Sequence, residues 1–328
     1  MCNFPMFRIT DFWKIGTKQA VFFAPFKEEK QVRELYKYPR YTTQLIPCGN
    51  CIECRIEYSK QWAFRCMKEA NQYENNVMIT LTYDNEHLPI TKIDENGEVK
   101  ATLVKKHHQD FMKRLRKAFE PQKIRFYMCG EYGEKRDRPH YHIICFNLKI
   151  DDLKFKEWSF CDWSKEKNPL YESKKITNIW KQGRVILNEV NYETCAYVAR
   201  YVTKKIKGVE SAEYYENRGQ LPEYTCMSRR PGIGEKFYED NKDKIRNGEK
   251  IWQKTKKKVI EVKPGRYFDK LLEKDDPEAL QKLKNQRLEN SKIILENILS
   301  QTSKNVDEYR EVKEALNTKY NKLKRQLT

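Results

Sequence analysis

The run Arg138-Pro139-His140-Tyr141-His142 constrains this chain more than any other segment. Successive side chains of a β-strand point to opposite faces, so His140 and His142 project together from one face of a sheet. Two imidazoles held that way can grip one divalent ion. The chain has only five histidines, and two of them stand here. A His-x-His taken alone is more often a pair of ordinary strand histidines, so its meaning depends on what surrounds it.

The surroundings have a clear order. Residues 76–83 (Asn-Val-Met-Ile-Thr-Leu-Thr-Tyr) are β-branched and apolar, which predicts a strand. Residues 104–119 place Val104, His108, Phe111, Leu115 and Phe119 at helical spacing, with Lys and Arg on the other faces. Residues 123–130 and 139–147 predict two more strands, joined through the charged turn 133–138 as a hairpin. Residues 184–190 predict a fourth strand and 192–207 a helix; another helix is expected over 55–71. Residues 150–182 read as an insertion with short helical pieces. Residues 1–45 read as aromatic-rich and irregular, and the charged stretch from about 268 as helical hairpins or a short coiled segment. The order β-α-β-β-(insert)-β-α predicts an α+β domain. Its antiparallel sheet has about five strands in a split βαβ layout, with helices on one face. The expected organisation is a cysteine-bearing N-terminal segment (1–72), the central domain (73–240) and a mainly helical extension (241–328).

Composition narrows the partners. Lys and Arg number 65 against 47 Asp and Glu, a net charge of +18. That excess favours a polyanion, because cationic side chains release counterions from phosphates. The first residues interrupt their apolar positions with Arg8, Asp11 and Lys14, unlike a signal peptide. No apolar run reaches the ~20 residues a membrane helix needs. A soluble cytoplasmic protein with no membrane partner is expected. No Gly-x-x-x-x-Gly-Lys-Ser/Thr loop occurs, so no ATP site is expected either.

Hard cations such as Mg²⁺ and Mn²⁺ bind few side chains and keep positions open for phosphate oxygens. His140 and His142 supply two ligands, and Glu131, at the end of the preceding strand, is the best third. Glu134 is the fallback, less well held in the turn. The helix over 192–207 carries Tyr197, Tyr201 and Lys204 within one sector, at i, i+4 and i+7. A phenol attacking phosphorus gives a phosphotyrosine that keeps the phosphodiester's energy for rejoining. Lys204 or Lys205 beside it would favour phenolate and neutralise charge on the phosphate. With two tyrosines, one can hold the first DNA end while the other attacks the next junction. Tyrosines four apart are more often a packing stripe; their place after a carboxylate and a His-x-His strand on a basic chain shifts the balance.

Several motifs stand together: Pro-Cys-Gly-x-Cys-x-x-Cys-Arg (47–55), Leu-Thr-Tyr-Asp-x-Glu-His-Leu-Pro (81–89) and Cys-Gly-Glu-Tyr-Gly-Glu followed by Arg-Pro-His-Tyr-His. They continue with Tyr-Val-Ala-Arg-Tyr-Val-Thr-Lys-Lys (197–205) and Ser-Arg-Arg-Pro-Gly-Ile-Gly (228–234). Over residues 46–235 this set resembles the replication initiation proteins of gokushoviruses (Microviridae), within the HUH endonuclease superfamily. Relaxases carry the tyrosine first, so the order here argues against that branch. The resemblance implies an HUH fold of ferredoxin-like topology and a nickase of the rolling-circle type, in the host bacterial cytoplasm. Such an enzyme cuts the plus-strand origin of the duplex replicative form, takes the 5′ phosphate onto a tyrosine and leaves a 3′ hydroxyl. After one circuit the second tyrosine would cut again and close the released single-stranded circle. Host polymerase and host helicase are the implied partners.

Cys48, Cys51 and Cys54 are regularly spaced, and Cys66 on the following helix is the expected fourth ligand of a structural Zn²⁺. An iron–sulfur cluster is the alternative, although no Cys-Pro partner follows. Arg138, Arg200, Arg229 and Arg230 are candidate DNA-phosphate contacts. A deaminase needs His-x-Glu ahead of Pro-Cys-x-x-Cys, but the first histidine is His87. A phosphoesterase with two His-x-Ser/Thr motifs fails because neither motif occurs. The remaining alternative is a non-catalytic, zinc-stabilised nucleic-acid-binding or packaging protein.

Overall fold

The computed structural model describes residues 2, 5–15, 18–25, 29–37, 40–93, 97–133, 137–161, 166–200, 211–300, 305 and 308–316. The chain divides into two units, residues 1–58 with 286–328, and residues 59–285. In the first unit, residues expected to be irregular form a three-stranded antiparallel sheet. It comprises β1 (Met6–Ile15), β2 (Lys18–Pro25) and, after α1 (Glu29–Leu35), β3 (Tyr41–Ile46), in the order β2-β1-β3. The signal lies in alternation: Phe7, Ile9 and Asp11 are buried, whereas Arg8 is exposed. Phe7, Ile9, Ala24 and Val32 form its core. α2 (Ile52–Ala70) follows, close to the helix expected over 55–71.

The second unit is built on a seven-stranded antiparallel sheet. In chain order its elements are β4 (Asn76–Tyr83), the short pair β5 (Ile90–Ile93) and β6 (Val99–Ala101), α3 (Lys105–Ala118), β7 (Arg125–Tyr132), β8 (Pro139–Phe146), β9 (Lys154–Cys161) and β10 (Glu166–Glu172). Next come α4 (Lys174–Trp180), β11 (Gly183–Glu189), α5 (Tyr192–Arg200), α6 (Ser211–Asn217), β12 (Tyr224–Met227), α7 (Glu235–Asp240) and α8 (Lys242–Arg246). The strand pair β13 (Ile251–Lys254) and β14 (Val259–Val262) precedes α9 (Arg266–Asp275) and α10 (Pro277–Ser300). The large sheet runs β12-β7-β8-β4-β11-β10-β9. Two strands more than expected come from β9 and β10, which occupy the stretch expected to be helical; only α4 is a helix there. A register shift between Leu170 and Tyr171 breaks the period-2 pattern that would have marked them.

Helices cover both faces of this sheet rather than one. On one face Ile79 and Leu81, Tyr141 and Ile143, and Met128 meet Phe111 and Leu115 of α3 and Trp180 of α4. On the other, Met78, Tyr127, Ile144 and Phe146 meet Trp62 and Cys66 of α2 and Cys195 and Val198 of α5. Residues 143–146 of β8 are fully buried because both faces are covered there. At about 1.5–3 kcal/mol per buried large side chain, these alternating sets fix the register of β8. A one-residue slip would bury both histidines and expose Tyr141 and Ile143.

His108 reads as an apolar position of α3, and the structure buries it to 2% exposure. Its Nδ1 lies 2.9 Å from the Tyr224 hydroxyl. Burial, with Lys105 nearby, pulls its pKa down to about 4 from the ordinary 6.5. The unfolded chain therefore binds a proton between pH 6.5 and 4 that the folded chain refuses. Stability present above pH 6.5 is lost as the pH falls towards 4, by a few kcal/mol at most. Urea unfolding at pH 7 and pH 4.5 should show this loss, and His108→Leu should reduce the difference between them.

Candidate active site

β8 is flanked by β7 and β4, and the register sets the site. His140 lies opposite Glu131 on one side and Thr82 on the other; His142 lies opposite Cys129 and Thr80. Directly opposed residues share a face, so Glu131, His140, His142, Thr80 and Thr82 all point to the α2/α5 side. Glu131 and His142 are almost fully buried, at 3% and 5% exposure, while His140 is half-buried. The Glu131 Oε1 and His142 Nε2 atoms are 3.0 Å apart. The two imidazole rings stand 6.3 Å apart, centroid to centroid.

Thr80 Oγ1 lies 3.0 Å from His142 Nδ1, and Thr82 Oγ1 lies 3.1 Å from His140 Nδ1. A hydroxyl accepting the Nδ1 proton fixes the tautomer and turns the Nε2 lone pair outward. The space in front of His140 Nε2 is kept open by Gly133, where an added Cβ would lie 2.9 Å from that nitrogen. One carboxylate and two imidazoles so oriented suit Mg²⁺ or Mn²⁺, whose neighbouring octahedral ligands stand about 3 Å apart. Glu131, His140 and His142 are thus the residues that would hold the ion.

Tyr197 comes to the same place from α5. Its ring meets that of His142 edge-on, with centroids 5.4 Å apart and planes at 83°. Cys195, Val198 and Ala199 anchor the helix in the core, leaving Tyr197 41% exposed. Tyr201, Lys204, Lys205 and the fallback Glu134 lie outside the described residues.

The arginines separate. Arg138 turns inward: its guanidinium donates to the carbonyls of Tyr83 and Asp84, at 2.8 and 3.1 Å, and to Asn85 Oδ1. The DNA contact expected of it gives way to a clamp on the end of β4. Arg200 ends α5 in solvent, and Arg229 and Arg230 are exposed. The loop carrying the last two is fixed from below. The buried Glu69 carboxylate pairs with Arg125 and accepts the Gly234 N–H, and Arg125 donates to the Pro231 carbonyl.

Three functional candidates escape a reading of local sequence. Thr80 and Thr82 matter only through cross-strand register. Arg184 of β11 is the third: it lies opposite Thr82, completing the row Glu131, His140, Thr82, Arg184, and it is exposed. Gly183 permits this approach, since its φ is +139° and a Cβ there would come within 2.3 Å of the Asp84 nitrogen.

The cysteines also rearrange. Among the described residues, the set whose donor atoms all lie within 4.8 Å of one another is Cys2, Cys48, Cys51 and Cys54, which could hold a metal ion. Cys66 is not the fourth member. It lies on the same helix as Cys54, twelve residues on, hence about 18 Å along the axis. There it is fully buried in the core under the sheet.

A family model for replication-associated proteins of the ORF2 type matches residues 76–206, from the start of β4 through α5. The chain is 34% identical over 237 residues to the replication-associated protein ORF2 of Spiroplasma virus 4, covering 70% of this chain and 68% of that one. The chain belongs to this family of phage replication-associated proteins. The family's replication-associated protein VP4 of Bdellovibrio phage phiMH2K is 32% identical over 161 residues, 49% of either chain. Its ORF4 member from Chlamydia phage 1 is 35% identical over 163 residues, 49% of this chain and 38% of that one. The chain thus spans half or less of the length of these last two. No solved structure matches. Among the described residues no helix is long and apolar enough to cross a membrane.

Proposed function

We propose that this chain initiates rolling-circle replication as a metal-dependent, site-specific nickase and strand transferase of HUH type. The observation that carries the reading is the convergence of Glu131, His140, His142 and Tyr197 on one face of the sheet. A bound Mg²⁺ or Mn²⁺ supplies Lewis-acid polarisation and orientation of the scissile phosphate. The Tyr197 Oη, or that of Tyr201, attacks phosphorus as its proton leaves. The P–O3′ bond breaks, the 3′ oxygen is protonated, and the 5′ phosphate remains on tyrosine. Reversal with a new 3′ hydroxyl closes the circle. Lys204 and Lys205 stabilise phenolate and phosphate charge. The substrate is the viral origin, single-stranded or exposed in the duplex form, in the cytoplasm of the bacterial host. Unwinding and extension fall to host helicase and polymerase.

The test is incubation with origin-containing single-stranded DNA, with and without Mn²⁺, followed by denaturing electrophoresis. A protein–DNA adduct that forms only with the metal is expected; no adduct under either condition refutes the reading.

Two further outcomes follow from the row of residues on the sheet. Thr82→Val should weaken Mn²⁺ binding about 10- to 100-fold, because the His140 ring loses the partner that orients it; calorimetric titration measures this. Arg184→Ala should weaken DNA binding uniformly across sequences. It should also lower the slope of log affinity against log salt by about one.

A further inference from the structure

The proposed chemistry makes no use of the N-terminal cysteines. Cys2 and Cys51 have their sulfurs 3.8 Å apart, and all four members of the group are free thiols. A disulfide would bring two sulfurs to about 2 Å. Four sulfurs placed about 2.3 Å from a tetrahedral ion stand roughly 3.8 Å from one another. The backbone is already shaped around them. Gly49, at φ +74°, turns the chain so that the Asn50 and Cys51 N–H groups donate to Cys48 Sγ, at 3.4 and 3.3 Å. The Cys48 N–H donates to Cys2 Sγ at 3.2 Å. Amides aimed at sulfur stabilise thiolate charge, as such ligands require.

We infer that Cys2, Cys48, Cys51 and Cys54 hold one structural Zn²⁺. Four thiolates are a soft donor set, which selects zinc or iron over Mg²⁺ and Mn²⁺. They also leave no open position, so the ion does no chemistry on a substrate. Its work is mechanical. It fastens the residue ahead of β1 to the loop after β3 and to the first turn of α2. A small sheet around Phe7, Ile9, Ala24 and Val32 needs such a staple, because little apolar surface is buried there.

The experiment is elemental analysis of the purified full-length protein, carried out without DNA and so independent of the nicking reading. About one zinc per chain is expected. Cys2→Ser should reduce it to near zero, whereas Cys66→Ala should leave it unchanged. Should Cys2→Ser fail to fold, Co²⁺-loaded wild type decides, since its charge-transfer bands report four thiolate ligands. Iron in place of zinc, zinc retained in folded Cys2→Ser, zinc lost in folded Cys66→Ala, or a cobalt spectrum of fewer sulfurs overturns the inference.

Discussion

Tyr197→Phe is expected to cut the yield of covalent protein–DNA adduct by about three orders of magnitude. Its phenol is the one candidate nucleophile that the described residues place against the metal-binding histidines. Removing the attacking oxygen forfeits about 4 kcal/mol of transition-state stabilisation at that fold-change. The fold should survive, because the side chain is 41% exposed and surface changes of this size usually cost under ~0.5 kcal/mol. Time courses of adduct formation, with a circular-dichroism control, measure both. Any adduct that remains should vanish in the double variant Tyr197→Phe/Tyr201→Phe. Wild-type adduct levels in the double variant would show that neither phenol is the nucleophile.

The second large effect is on stability. Glu69→Ala should destabilise the protein by about 3–5 kcal/mol, a drop in Tm on the order of 10 °C. Glu69 is 2% exposed and holds two groups at once: it pairs with Arg125 and receives the Gly234 N–H at 2.8 Å. Removing it leaves the Arg125 guanidinium, itself little exposed, without its charge partner. It also loosens the loop on which Arg229 and Arg230 stand. The double variant Glu69→Ala/Arg125→Ala should cost less than the sum of the single changes, since no orphaned charge then remains buried. Thermal unfolding of the three variants checks this.

What local sequence could reveal was whatever depends on local period. β4, α3, β7, β8, β11 and the first turns of α5 all follow from alternation or helical spacing, within the few residues by which element ends ordinarily differ. The parity of His140 and His142, and the nearness of Glu131, came with them. What depends on pairing did not. Thr80 and Thr82 are sixty residues from the histidines they orient, and only the register of β4 against β8 brings them there. Cys2 joins cysteines some fifty residues away once β1 and β3 lie side by side. Cys66 was misjudged because nearness along a chain is not nearness along a helix. Arg138 looked like a surface charge, but carbonyls at the end of β4 take up its donors. The N-terminal sheet was there in the alternation of Phe7, Ile9 and Asp11, which its many aromatics obscured.

Peptide mapping of the covalent adduct tests the central claim most directly. Wild-type protein is incubated with origin single-stranded DNA and Mn²⁺, trimmed with nuclease and protease, and the nucleotide-bearing peptide is sequenced by mass spectrometry. The account predicts a 5′-phosphotyrosyl linkage on Tyr197 or Tyr201. A linkage on any other residue, or cleaved DNA with a free 5′ phosphate and no linked peptide, would contradict it.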